Sequence, residues 1–240
     1  MNESLLLPLL ILVPLLGAVA GAFVPAKSAK YFALIVCLVT LALALAVLPS
    51  FTFHQMQSTP TELNHSTGAQ LQWGRVISQY STSNDVVKQY KDRFEFVMGQ
   101  FRFSILLSMD TISYWLVLLT VVLQPLAVLA SFKSIQDRPK EYYAWMLVLL
   151  GAMIGCFLAR DLLLFYIFFE LTLVPMFFII GIWGGADRRY AAGKFFLFTF
   201  TGSVFTLAAV LYLGIQAGSF EINEVVAYAQ SNLSSTERSW

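Results

Sequence analysis

The sequence predicts an all-α protein: a polytopic membrane bundle of about six transmembrane helices. Of the 240 residues, 58% are hydrophobic and 12% are charged, whereas soluble domains carry roughly 25% charged residues. The apolar residues also cluster in stretches of about 20, which is the length that a helix needs to cross about 30 Å of hydrocarbon. Composition and stretch length together exclude a soluble globular fold.

Six stretches meet this length requirement. They are residues 5–25, 31–48, 110–132, 142–158, 162–183 and 191–216. Each is expected to be helical because a segment inside the bilayer must satisfy its backbone polar groups internally. The first is interpreted as a span and not as a secretory signal, because Glu3 precedes it and its apolar run exceeds a signal core of about 7–15 residues. We interpret residues 1–240 as a single membrane domain.

The loop at about 49–108 is predicted to lie outside the membrane. It is rich in Ser, Thr, Gln and Asn and then becomes aromatic at Phe94, Phe96, Phe101 and Phe103. We interpret it as a plain connector, whose aromatic end lies flat in the interface or packs on the spans as irregular structure. Pairs of small residues four apart, such as Gly151 and Gly155, predict close contacts between the helices.

The positions of lysine and arginine in the short loops predict the orientation, since cytoplasmic loops carry the positive excess. The loops after the first, third and fifth spans hold Lys27, Lys30, Lys133, Arg138, Lys140, Arg188 and Arg189. The loop between the fourth and fifth spans holds only Arg160. We therefore expect both termini to face outward. The Ala- and Gly-rich spans favour the inner (cell) membrane of a bacterium.

Charge and motif content exclude several function classes. The formal net charge is +1, so no basic field exists to attract nucleic acid. Cys37 and Cys156 both lie in apolar runs and are predicted to be small core residues. The sequence has no cysteine cluster for iron–sulfur, no glycine-rich phosphate loop and no metal-ligand spacing. We predict no redox centre, cofactor or metal in this chain, which leaves movement of a proton or small ion.

Glu170 is the main candidate for that chemistry. It lies within the fifth span, in LLLFYIFFELTLVPMFFII, near the predicted bilayer midplane. An ionised carboxylate there costs a few kcal/mol, so the side chain must be neutral, paired or beside water. Because Pro175 has no N–H, the carbonyl of Leu171 loses its helical hydrogen-bond partner and can then bind water. The alternatives are a silent protonated Glu170 bonded to a neighbouring helix and an ordinary proline kink.

Lys194 is the second candidate, because it lies about one turn inside the sixth span. A lysine so near a helix end can also extend to the interface beside Arg188 and Arg189. Asp110 and Asp161 begin the third and fifth spans. There we predict helix capping, since an acid is favoured by the dipole at a helix N-terminus.

The stretch DLLLFYIFFELTLVPMFFIIGIWGG, followed by RRYAAGKFFLFTFTGSVFTLAA, resembles the antiporter-like subunit M of proton-pumping NADH:quinone oxidoreductase, subunit 4 in mitochondria. The opening LLLPLLILVPLLGAVAG and the segment SMDTISYWLVLLT are similar to the same family. The resemblance implies about fourteen helices, with a buried glutamate on the fifth paired to a lysine on the seventh. Glu170 matches that glutamate, and Lys194 matches a lysine on the sixth helix beside the pathway.

The resemblance further implies proton translocation coupled to electron transfer on other subunits, which would hold NADH, flavin, iron–sulfur clusters and quinone. Its expected partners are other membrane subunits and the lipid bilayer. At Asp110 the family has Asp-Gly, whereas Thr111 follows here. The partner lysine would lie beyond Trp240, so we expect either a partial sequence or a split subunit.

Two other functions are compatible with the spans. One is a subunit of a multi-subunit sodium/proton antiporter, which runs on an ion gradient without redox chemistry. The other is a structural scaffold subunit without transport of its own, in which Glu170 stays protonated.

Overall fold

The computed structural model describes residues 6–57, 92–98 and 101–232. The described helices are α1 (Leu6–Phe23), α2 (Ala26–Gln57), α3 (Thr111–Ser134), α4 (Pro139–Leu158), α5 (Leu162–Trp183), α6 (Arg188–Ala217) and α7 (Ile222–Asn232). Two strands, β1 (Asp92–Met98) and β2 (Phe101–Leu107), lie between α2 and α3. Six of these helices, α1 to α6, are long and apolar enough to cross a membrane. The predicted polytopic helical bundle is therefore confirmed.

The predicted helix ends agree with the structure to within a few residues, except in the second helix. That helix begins at Ala26 and continues to Gln57, well past the predicted end at residue 48. Its apolar window ends at Val47, so the last turns extend beyond the stretch that hydrocarbon requires. Hydropathy locates the part of a helix that lies in lipid, whereas the backbone can remain helical beyond it.

The long loop contains a β-hairpin, so the expected irregular structure was wrong for this part. The two strands pair antiparallel, with Asp92 opposite Leu107 and Met98 opposite Phe101. The sequence did contain the alternation that is typical of a strand. Phe94 and Phe96 alternate with other residues, as do Phe101 and Phe103. The polar part of the loop, 58–91, lies outside the described residues.

The core of the bundle forms around α4, which packs against α1, α2, α3 and α5. Leu150, Ile154 and Leu158 of α4 are fully buried. A buried amide joins two of these helices, since the Gln124 side chain donates to the Met146 carbonyl at 2.8 Å. Cys37 is buried and Cys156 is half-buried, and both are free thiols. The predicted core position is therefore confirmed for Cys37, whereas Cys156 lies at the edge of the core.

Glycine lets α5 pack closely against α4. The ring of Phe168 in α5 occupies the space where a side chain on Gly155 would begin. Gly151 similarly accepts Leu15 of α1. Small residues on one helix let a neighbour approach its backbone. The Gly155 contact fixes α5 two residues before Glu170.

Replacing Gly155 with Ala is expected to destabilise the bundle, because the new methyl group must displace the Phe168 ring. Overpacking of this kind costs about 1–3 kcal/mol, which exceeds the gain of about 1 kcal/mol in helix propensity. The matched control is Gly193→Ala, because a Cβ placed there would meet no described residue beyond its own helix turn within 4 Å. Thermal unfolding of the purified protein in detergent should show a lower midpoint for Gly155→Ala alone. Equal midpoints for the two variants would contradict this packing account.

Candidate functional site

The start of α5 is set by Asp161, which caps the helix that carries Glu170. Its Oδ1 atom accepts hydrogen bonds from the backbone N–H groups of Leu163 at 2.9 Å and Leu164 at 3.1 Å. These bonds satisfy two of the donors that a helix N-terminus leaves unpaired. The predicted capping role of Asp161 is confirmed.

Glu170 lies about 12 Å along α5 from Leu162 and about 20 Å from Trp183, at a rise of 1.5 Å per residue. This places it within the apolar part of the helix, about 4 Å from the helix centre. One carboxyl oxygen, Oε1, is shielded from solvent and has no hydrogen-bond partner among the described residues. A shielded carboxyl oxygen without a partner is uncommon in native proteins, which makes Glu170 the candidate functional residue of this helix.

A chain of two hydroxyl groups begins beside Glu170, with Tyr166 next to the carboxyl and Ser203 next to Tyr166, and sequence reasoning did not identify either. Tyr166, one turn earlier on α5, interacts with both the Glu170 carboxyl and the Ser203 hydroxyl of α6. Ser203 is 3% exposed, and its hydroxyl donates to the Phe200 carbonyl at 2.8 Å. The four-residue spacing of Tyr166 and Glu170 is a signal that the sequence did contain, since such residues share a helix face.

Pro175 lies inside α5 and is buried. Because proline has no N–H, the Leu171 carbonyl lacks the donor that an unbroken helix would give it. In the same turn, the Thr172 hydroxyl donates to the Phe169 carbonyl at 2.7 Å. The backbone on either side of Glu170 is thus perturbed by one missing donor and one competing hydroxyl.

Lys194 lies on α6, about 9 Å from its first residue Arg188. Its ammonium group is 5.8 Å from the centre of the Tyr190 ring, a cation–π distance. The side chain is exposed and borders a shallow, mostly apolar groove along α6. The other residues of this groove are Leu197, Phe198, Thr201, Gly202 and Phe205.

The structure does not bring Glu170 and Lys194 together. The two helices run antiparallel through a short turn, so Lys194 is about 11 Å nearer to the shared end than Glu170 is. Within the described part of the chain no ion pair joins them, whereas Arg138 and Glu141 do form one at 3.7 Å. On α6, Ser203 lies about 3 Å beyond the level of Glu170, between the levels of Glu170 and Tyr166.

The other end of α5 carries a second group of polar side chains. Arg160 donates from its Nε atom to the Ser108 hydroxyl at 2.7 Å, which ties the end of β2 to the turn before α5. Asp110 caps α3 by accepting from the Ser113 N–H at 2.7 Å. Partial burial opposes ionisation of Asp110, but the Ser113 hydrogen bonds and the positive charge of Arg160 outweigh it, so its pKa lies below the usual value.

Two family profiles match adjacent parts of the sequence. The profile described as "NADH-ubiquinone oxidoreductase chain 4, amino terminus" matches residues 93–160. The profile described as "NADH:quinone oxidoreductase/Mrp antiporter, TM" matches residues 159–240. Together they cover the hairpin, α3 to α7 and both candidate site residues.

Curated relatives are subunits of the oxidoreductase that both profile descriptions name. The chain is 50% identical over 122 residues to NADH-quinone oxidoreductase subunit M of Rhodobacter capsulatus, which covers 51% of this chain and 24% of that protein. It is 36% identical over 214 residues to NADH-ubiquinone oxidoreductase chain 4 of Prototheca wickerhamii, covering 88% of this chain and 38% of that protein. The chain thus spans well under half the length of these two relatives.

Solved structures share the fold. A chain of respiratory complex I from Thermus thermophilus superposes with a TM-score of 0.68 at 21% identity, covering 92% of this chain and 39% of that one. A chain of the Mrp complex from Dietzia sp. superposes with a TM-score of 0.66 at 16% identity, covering 93% of this chain and 22% of that one. At these identities the likeness concerns the fold alone.

Proposed function

The chain belongs to the family of NADH:quinone oxidoreductase subunit M and chain 4, and from this premise we propose that it is a proton-translocating membrane subunit of that oxidoreductase. Electron transfer takes place on other subunits and drives proton movement through Glu170. The observation that supports this most strongly is the shielded Oε1 atom of Glu170, which has no hydrogen-bond partner in the described residues.

The proposed mechanism is electrostatic. A lysine close to Glu170 stabilises the carboxylate, and withdrawal of that lysine favours the protonated form. One pKa unit corresponds to about 1.4 kcal/mol, and moving one charge across 100 mV corresponds to about 2.3 kcal/mol. A change of a few pKa units is therefore enough to load and release a proton against the membrane potential. Tyr166 supplies a hydroxyl group beside the carboxyl for the transfer, and the Ser203 hydroxyl lies next to Tyr166.

NADH, flavin, iron–sulfur clusters and quinone belong to partner subunits in this proposal, and no redox centre to this chain. Across the described residues, no group of three or more His, Cys, Asp or Glu side chains is placed to hold a metal ion. The proposed partners are the other membrane subunits and the lipid bilayer. The proposed location is the inner membrane of a bacterium, with both termini outward, as the distribution of Lys and Arg in the short loops favours.

A second candidate function is a subunit of a multi-subunit sodium/proton antiporter. The likeness in fold to the Mrp complex chain favours it, as does the description of the family profile over residues 159–240. The two functions differ in their energy source, because an antiporter transports protons without NADH oxidation. Proton transport that depends on a sodium gradient and is unaffected by NADH would favour the antiporter.

Replacing Glu170 with Gln in the full-length subunit is expected to abolish or severely reduce proton pumping while the complex still assembles. Gln has nearly the same shape but cannot carry the proton. Pumping would be measured as NADH-driven acidification of the interior of vesicles that contain the reconstituted complex. The matched control is Glu141→Gln, which removes an exposed carboxylate paired with Arg138 at 3.7 Å and should pump normally. Normal pumping by Glu170→Gln would refute the assigned role and favour the scaffold function.

Replacing Lys194 with Ala is expected to reduce pumping less than Glu170→Gln does. Residue 194 lies about 11 Å along the bundle axis from residue 170, so we expect its ammonium group to act on Glu170 only through the longer-range field. The same vesicle assay compares the two variants, and Lys194→Arg, which keeps the charge, should remain closer to the unsubstituted subunit. A loss as large as that of Glu170→Gln would assign Lys194 a direct part in proton transfer.

A further inference from the structure

The turn before α5 and the turn before α7 pair with each other as a short antiparallel bridge. The Leu162 N–H donates to the Phe220 carbonyl at 2.9 Å, and the Ile222 N–H donates to the Arg160 carbonyl at 3.1 Å. These two bonds flank Asp161 and Glu221, which are opposite each other. Asp161 and Glu221 thus form the non-hydrogen-bonded pair of an antiparallel ladder. In such a pair the Cα atoms are about 4.5 Å apart and both side chains project from the same face of the ladder.

Two local features hold this bridge in place. Gly218 ends α6 with φ of 70°, a left-handed conformation that glycine adopts without strain, and the chain turns back there. Phe220 is 4% exposed, and its ring fills the space beside Gly214 where a side chain would begin. The backbone N–H of Glu221 also donates to the Ser219 hydroxyl at 3.2 Å. The opposition of the two acids is therefore built into the turn.

The two oxygens of Asp161 are in different environments. Oδ1 accepts the two capping hydrogen bonds of α5. Oδ2 is buried and has no hydrogen-bond partner in the part of the chain that is described, and the whole residue is 0% exposed. A protonated carboxyl has this asymmetry, because one oxygen accepts and the other carries a hydrogen. A bare carboxylate would leave a buried, unsatisfied charge.

Burial and a neighbouring negative charge both act on the pKa of Asp161, against the two capping N–H groups. Burial raises the pKa of Asp161, the Leu164 and Leu163 N–H groups oppose the rise, and the negative charge of Glu221 adds to it, so that the pKa lies above its usual value. Arg160 is next in the chain, but its side chain bonds to Ser108 and its charge acts on Asp110. Glu221 is therefore the charged group that faces Asp161 from the opposing turn.

We propose that Asp161 and Glu221 form a carboxyl pair that binds one proton at neutral pH, with Oδ2 of Asp161 as the atom that holds it. Two carboxyl groups that face each other in one site cannot both ionise without a large penalty, so they bind and lose protons as a unit. A hard metal ion fits less well, because Ca²⁺ takes six or more oxygen ligands and Asp161 has one uncommitted oxygen.

This site goes beyond the proposed function of Glu170. It lies nine residues earlier on the chain, about 14 Å along the axis of α5, and it involves a different pair of helices. The pair of Asp161 and Glu221 would still bind its proton in a protein in which Glu170 binds none. Failure of one proposal therefore leaves the other standing.

The test is infrared spectroscopy of the carboxylic acid C=O band during a pH titration of the full-length subunit in its assembled complex. Difference spectra against Asp161→Asn isolate the contribution of the pair, and Asn preserves the cap because it is itself a favoured N-cap residue. The unsubstituted protein should show one protonated carboxyl at pH 7 that Asp161→Asn lacks. In Glu221→Gln the titration midpoint of that band should fall by about one pH unit or more.

The matched control is Glu224→Gln, which removes an exposed acid three residues further on and should leave the midpoint unchanged. Glu170→Gln should also leave the band in place. A midpoint in Glu221→Gln equal to that of the control would overturn the proposal, as would a band that survives in Asp161→Asn. A midpoint that falls on replacing potassium with sodium in the buffer would overturn it too, because it would show that the pair binds a metal cation.

Discussion

The cost of holding a carboxylate in hydrocarbon determines how this chain must be built around Glu170. An ionised acid within a span costs a few kcal/mol even on lenient scales. The helix that carries Glu170 is accordingly fixed at several points. Asp161 caps its start, Phe168 fits against Gly155 of α4, and the Trp183 side chain at its end donates to the Asp137 carbonyl at 2.8 Å. These contacts hold the carboxyl at one depth, beside Tyr166.

The sequence predicted the bundle well because lipid imposes a simple rule. A chain that crosses hydrocarbon must be helical and apolar over about 20 residues, so the fifth helix was predicted at the residues where it occurs, Leu162–Trp183. Outside the lipid this rule does not apply, and there the predictions were less accurate. The hairpin β1 and β2 and the last turns of α2 depend on backbone pairing and local propensity, which hydropathy does not measure.

The candidate site was only partly accessible from the sequence. Glu170 is conspicuous because an acid interrupts an apolar stretch. Ser203 and Glu221 are not conspicuous, because each approaches its partner on α5 only through the packing of α5 with α6 and the turn after it. Asp161 was correctly predicted as a cap, yet capping engages only its Oδ1 atom. The environment of Oδ2 depends on a segment about 60 residues away, which no local pattern reveals.

The central claim is that Glu170 gains and loses a proton during turnover. Its most direct test is time-resolved infrared spectroscopy of the assembled oxidoreductase after NADH addition, with the Glu170 carboxyl band identified from its absence in a Gln variant. The account predicts that this band rises and falls with turnover and stops changing when quinone reduction is inhibited. A band that stays constant while the complex pumps protons would show that Glu170 is a silent structural acid.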